Sequence, residues 1–184
     1  MHHLPNLLTC LRIVLVLPIV WALLERQFSS ALALFAVAGV TDALDGFLAR
    51  RFNWQSRLGA WLDPLADKLL LVSSFIVLAV IEVLPWWLVL LVVIRDLVIT
   101  LGAALYYWWR QQLRMQPLVL GKLSTLLQVL CGFFSILQAA QLLQLTQWLS
   151  ALVYLTGAVT LFSGVAYVVL WSQKFIATKA DRAG

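Results

Sequence analysis

Six long apolar runs separated by short polar turns organise this chain. They cover about 4–24, 28–49, 57–81, 84–109, 118–142 and 146–171, each long enough to cross a bilayer, which takes about 18 apolar residues as helix. The pattern predicts an all-α integral membrane protein with six transmembrane helices in one bundle. No period of 20 to 50 residues repeats, and no Gly/Ser-rich or Pro-rich linker divides the runs. Residues 1–184 therefore read as one membrane domain with a polar tail over about 173–184.

Composition agrees with the pattern. Hydrophobic residues make up 63% and charged residues 11% of the chain, and the mean hydropathy is +0.95, too little polar surface for a soluble globule. Basic residues fall at alternate turns: Arg50, Arg51 and Arg57, then Arg110, Arg114 and Lys122, then Lys174, Lys179 and Arg182. The opposite turns hold only Arg26 beside Glu25, then Glu82, then the Gln-rich stretch Gln141 to Gln147. Cytoplasmic loops are enriched in Lys and Arg, so both termini are expected in the cytoplasm, in a cell membrane of the inner-membrane type. The net charge of +5 is then a topology signal with some attraction to anionic lipid, and nucleic acid is not an expected partner. The first run lacks a basic start before Arg12 and a second span follows at once, so it reads as a span, not a cleaved signal. Cys10 and Cys131 sit in apolar runs without metal-ligand spacing and read as packing residues. His2 and His3 read as a solvated tip, and Trp86, Trp87, Trp108 and Trp109 as interfacial anchors.

The stretch Thr41 to Lys68 breaks the apolar pattern, for it holds four of the eight acidic residues. A helix advances about 100° per residue, so with Asp42 at zero, Asp45 falls near −60°, Gly46 near +40°, Ala49 near −20° and Arg50 near +80°. Carboxylates and small residues share that face. In the next helix Gly59, Asp63 and Asp67 form an i, i+4, i+8 ladder on another single face. Simpler readings exist for each residue: Asp63 before Pro64 as an N-cap, Asp42 or Asp45 paired with Arg50 or Arg51, Gly46 and Gly59 as helix-packing sites. Four carboxylates facing lipid would cost on the order of 10 kcal/mol, so they are expected to face water, a cation or each other. Oxygen-only ligands suit a hard divalent ion, and Arg50 at the edge of the same face suits a phosphate.

The spacing Asp42-x2-Asp45-Gly46-x2-Ala49-Arg50-x8-Gly59-x3-Asp63-x3-Asp67 resembles the signature of the CDP-alcohol phosphotransferase (CDP-alcohol phosphatidyltransferase) family at every defined position. The resemblance extends to Pro5-Asn6-Leu7-Leu8-Thr9-x2-Arg12 and to Gly121-Lys122-x2-Thr125-x2-Gln128. It implies that Asp42, Asp45 and Asp63 coordinate metal, that Asp67 completes a second metal site and acts as general base, and that two Mg²⁺ or Mn²⁺ ions are used. It further implies that Gly46, Ala49 and Gly59 leave room for the cytidine and phosphates of CDP-diacylglycerol, that Arg50 holds the diphosphate, and that the protein is a homodimer. The site would lie at the cytoplasmic end of the second and third helices.

Arg95 and Asp96 fall near the middle of the fourth run, where ionisable groups usually face a bundle interior or an aqueous cavity. They read either as a structural polar network or, for Arg95 with Lys122 and Arg12, as a basic lining for an acidic acceptor. Within the family the sequence resembles both CMP-forming cardiolipin synthases and phosphatidylglycerophosphate synthases. In the latter the pair is usually Arg-Glu and the later segment Lys-x-Lys-Thr, whereas here they are Arg95-Asp96 and Lys122-Leu123-Ser124-Thr125. One lysine fewer disfavours a phosphate monoester, so phosphatidylglycerol is the expected acceptor and glycerol 3-phosphate the alternative. A divalent-cation transporter, the reading from another class, would be expected to show repeated halves and midplane ligands, and the sequence shows neither.

Overall fold

The structure, a computed structural model, describes the backbone of residues 4–52, 59–110, 118–144 and 146–180, and side chains over 11–42, 44, 66–105, 118–144 and 146–173. Within these residues each apolar run forms one helix: α1 (Leu4–Leu24), α2 (Phe28–Phe52), α3 (Gly59–Val80), α4 (Trp86–Arg110), α5 (Val119–Ala139) and α6 (Thr146–Ala180). No strand occurs among the described residues. Among the described residues three segments are long and apolar enough to cross a membrane by length and composition, Trp86–Leu105, Val119–Ala139 and Thr146–Gln173. Pro18 lies inside α1, where its ring removes one backbone donor and favours a bend.

Helix α1 packs on α2 and α3, α5 on α2, α3 and α6, and α4 on α3 and α6. Ile19, Leu23, Phe35, Phe75, Leu78, Leu88 and Ile136 fill the centre, and Cys131 is buried among them. Gly132 lets α5 approach closely, since a Cβ there would lie 3.3 Å from Phe75 and 3.6 Å from Phe35. Outward, Leu17, Trp21, Val40, Leu90, Ile94, Leu97, Leu101, Tyr154 and Phe162 are exposed. So extended an apolar exterior is a liability in water and the expected surface in hydrocarbon.

Between α5 and α6 the packing is polar. Thr156, Thr160, Ser163 and Tyr167 recur at i, i+4, i+7 and i+11, one stripe of a helix, and all are buried. Thr156 Oγ1 donates to the Leu127 carbonyl at 3.5 Å. Thr160 Oγ1 lies 3.1 Å from Ser124 Oγ and accepts from Gln128 Nε2 at 3.2 Å. The Leu118 N–H donates to Tyr167 Oη at 3.3 Å, where the start of α5 would otherwise leave a bare backbone donor. Hydroxyl groups that would be costly against lipid thus satisfy one another across the helix pair.

The turn after α1 and the turn after α3 share one design. The N–H groups of Arg26 and Gln27 donate back to the carbonyls of Leu23 and Ala22, and those of Glu82 and Val83 to Ala79 and Leu78. Both helices therefore stop in a Schellman-type cap, with Arg26 at φ 55° and Glu82 at φ 63°, a conformation that glycine adopts without the cost a Cβ brings. Glu82→Gly is expected to raise stability by about 0.5–1 kcal/mol, measured by thermal unfolding in detergent. An unchanged or lower stability would mean that the glutamate side chain itself contributes at that turn.

Candidate active site

Two of the four aspartates of the sequence motif have described side chains, and they meet. Asp42, in the second half of α2, and Asp67, in the first half of α3, both bind the guanidinium of Arg12 from α1: Nη2 lies 2.7 Å from Asp42 Oδ1, and Nη1 donates to Asp67 Oδ1. The packing of α1 against both α2 and α3 accounts for this, since it brings each acid within reach of one guanidinium. The Arg12 side chain is 1% exposed, whereas those of Asp42 and Asp67 are 46% and 40% exposed. The cation is sealed in the bundle and the two acids look outward. Charge-assisted pairing offsets the burial of the guanidinium.

Asp45, Gly46, Ala49 and Arg50 continue α2, and Gly59 and Asp63 belong to the start of α3; their side chains lie outside the described residues, as do those of Cys10, Trp108 and Trp109, and His2 and His3 altogether. Asp63 is inside α3, which begins at Gly59, so it is not the helix N-cap. Asp42 has Arg12 as a cationic partner, while the side chains of Arg50 and Arg51, its expected partners, lie outside the described residues.

Asp42 and Asp67 suit a hard divalent cation: both offer carboxylate oxygens, they reach one positive centre from two helices, and each keeps an exposed side. Among the described residues no three His, Cys, Asp or Glu side chains gather, Asp45 and Asp63 not being among them.

Arg95 is buried where α4 meets α5 and α6. Its Nη1 donates to Asp96 Oδ1 at 2.7 Å, Nη2 to the Gly121 carbonyl at 3.0 Å, and Nε and Nη2 to Ser163 Oγ at 3.4 and 3.3 Å. A Cβ on Gly121 would lie 2.8 Å from Tyr167 Oη and 3.4 Å from Arg95 Nη2, so only glycine lets all three come together there. Arg95 and Asp96 contact each other, although adjacent helical residues point about 100° apart. Lys122, next to Gly121 on α5, is exposed. Arg12, expected beside Arg95 and Lys122, is placed with the carboxylates.

Lys68 enters the site without having been singled out in the sequence. Its ammonium donates to Thr100 Oγ1 at 2.7 Å and to the Asp96 carbonyl at 3.4 Å, both on α4. A lysine inside a long apolar run was the signal that could have found it.

The profile of the CDP-alcohol phosphatidyltransferase family matches residues 2–172. The CMP-forming cardiolipin synthases of Rattus norvegicus and Homo sapiens are 48% and 44% identical over 82 residues, 44% of this chain and 27% of each relative. The CDP-diacylglycerol–glycerol-3-phosphate 3-phosphatidyltransferase of Escherichia coli K12 is 43% identical over 83 residues, 41% of this chain and 43% of the relative. The chain thus spans less than half the length of these curated relatives.

If Arg12 balances the two acids, Arg12→Met should destabilise the protein by about 1.5–3 kcal/mol, the usual worth of hydrogen bonds to charged groups. Added Mg²⁺ should then stabilise the variant more than the wild type, as read by thermal unfolding with and without the ion. Equal responses of both proteins to Mg²⁺ would argue against a shared acidic site.

Proposed function

We propose, for a chain that belongs to the CDP-alcohol phosphatidyltransferase family, that it transfers a phosphatidyl group from CDP-diacylglycerol to the hydroxyl of a glycerol-bearing acceptor and releases CMP. The observation that carries this reading is the meeting of Asp42 and Asp67 on Arg12, which supports one catalytic cluster made from both halves of the motif. The acceptor oxygen attacks the phosphorus that bears diacylglycerol. The bond from that phosphorus to the oxygen bridging to CMP breaks, and CMP departs with the electron pair. Asp67 takes the hydroxyl proton as general base, a role its outward-facing carboxylate suits. Arg12 binds Asp67 and Asp42 and orients them from behind. Gly46, Ala49 and Gly59 leave volume for the nucleotide, and Arg50 holds the diphosphate.

Asp42, Asp45, Asp63 and Asp67 would hold two divalent ions, Mg²⁺ or Mn²⁺, which when bound neutralise the diphosphate and stabilise CMP as it leaves. Phosphatidylglycerol is the acceptor this reading prefers, giving cardiolipin, because Ser124 stands where a second lysine would serve a phosphate monoester. Glycerol 3-phosphate is the alternative, and the bacterial relative named for that acceptor favours it. Six spans form a single membrane domain with both termini and the aspartate cluster on the cytoplasmic side of an inner membrane. CMP then leaves into water while acyl chains stay in the leaflet. A second copy of the chain completes a homodimer, which the exposed apolar stripe Leu90, Ile94, Leu97 and Leu101 on α4 could accommodate.

The test supplies purified enzyme with labelled CDP-diacylglycerol, Mg²⁺ or Mn²⁺, and either acceptor, and identifies the lipid formed. Cardiolipin is the expected product, and product from glycerol 3-phosphate alone would reverse the choice of acceptor. Asp67→Asn is expected to lower turnover by about 100-fold or more, the scale of general-base catalysis, with the fold kept. Turnover like that of the wild type would remove Asp67 as the base.

A further inference from the structure

The described core holds three basic side chains that bear on the candidate site, and they are engaged differently. Arg12 is bound by the carboxylates of Asp42 and Asp67, and Arg95 by that of Asp96. Lys68 has no direct ion pair among the described residues. Its ammonium rests on two neutral oxygens of α4, Thr100 Oγ1 and the Asp96 carbonyl. Thr100 Oγ1 itself donates to that same carbonyl at 2.7 Å, so its hydrogen is spent and only its lone pairs face the lysine. The carboxylate of Asp96, the nearest source of negative charge on α4, is turned to Arg95.

The hydrogen bonds of this partly buried ammonium go only to neutral oxygens, and the nearby Asp96 carboxylate is shared with Arg95, so its charge is under-compensated in an apolar bundle. An arriving anion improves that compensation. Lys68 is also covalently next to Asp67, so an anion held there lies on the α4 side of the outward-facing carboxylate. A flexible four-carbon stem lets the ammonium leave Thr100 for a stronger acceptor.

We infer that Lys68 is a substrate-binding residue, which receives the phosphate group of the acceptor and brings the acceptor hydroxyl to Asp67. This rests on the phosphatidyl-transfer reading and adds the residue that recognises the acceptor's charge. Both candidate acceptors carry a phosphate, a diester in phosphatidylglycerol and a monoester in glycerol 3-phosphate, and Lys68 serves either. A lysine at this place supplies a positive charge that Ser124 does not.

A purely structural role would make Lys68 a latch between α3 and α4, and that role needs a hydrogen-bond donor, not a charge. Lys68→Gln keeps a donor and removes the charge, Lys68→Met removes both, and Lys68→Arg keeps both. Initial rates are measured for each against CDP-diacylglycerol and against phosphatidylglycerol or glycerol 3-phosphate. The expected result is a roughly 10- to 100-fold rise in acceptor KM for both Gln and Met, the worth of one charge-assisted hydrogen bond, with donor KM nearly unchanged and Arg close to wild type. Wild-type acceptor KM in Lys68→Gln beside a loss in Lys68→Met would overturn the inference in favour of the latch. So would equal losses for donor and acceptor. If Lys68→Met does not fold, the Gln and Arg pair decides alone. Failure of the underlying reading is separate, because it shows in the wild type as no CMP release with either acceptor, and it removes this inference with it.

Discussion

An ionised side chain inside an apolar helical bundle has few places to go, and where each finds its counter-charge decides how these helices are arranged. Arg12 in α1 is enclosed almost completely, so it draws Asp42 of α2 and Asp67 of α3 to one point. The packing of α1 on both α2 and α3 and the convergence of the two acids are thus one event. The part of this ion-pair group that faces out is acidic. A bundle that seals its cation and presents its carboxylates has built a place for a further cation or for a proton to be taken up.

The other half of the molecule answers the same constraint with neutral groups. Hydroxyls of Thr156, Thr160 and Tyr167 meet acceptors and donors on α5 or just before it, and Arg95 enters that seam through Gly121 and Ser163. This makes α4, α5 and α6 a cross-linked wall. Lys68 reaches from α3 to α4 at Thr100 and Asp96, so the wall and the acidic cluster are joined by a side chain adjacent to Asp67. Geometry at the acids is then sensitive to the distance between α3 and α4.

Much of the fold was legible because bilayer-length apolar runs leave little ambiguity: each run became one helix, with ends displaced by up to three residues except in α6, which runs on to Ala180 through most of the expected polar tail. Of the two aspartate faces that helix period groups, Asp42 and Asp67 are the members with described side chains, and they share Arg12. Partners across helices were not. Arg12 was placed with Arg95 and Lys122 on the sign of its charge, yet packing of α1 against α2 and α3 sets it among acids. The pairing of Arg95 with its neighbour Asp96 was missed because ideal helical angles separate them, while a long guanidinium can fold back. Lys68 was overlooked since sequence distance gives no hint that α4 lies within reach of its ammonium.

The account stands on Asp42 and Asp67 contributing to one cation-binding centre. Mn²⁺ affinity, read by electron paramagnetic resonance on the purified protein, tests this in the wild type, in Asp42→Asn, in Asp67→Asn and in the double variant. Each single change should weaken binding by about tenfold or more, and the double variant should lose far less than the product of the two losses, the mark of residues acting at one site. Losses that multiply as independent effects, or single variants that bind Mn²⁺ as the wild type does, would contradict it.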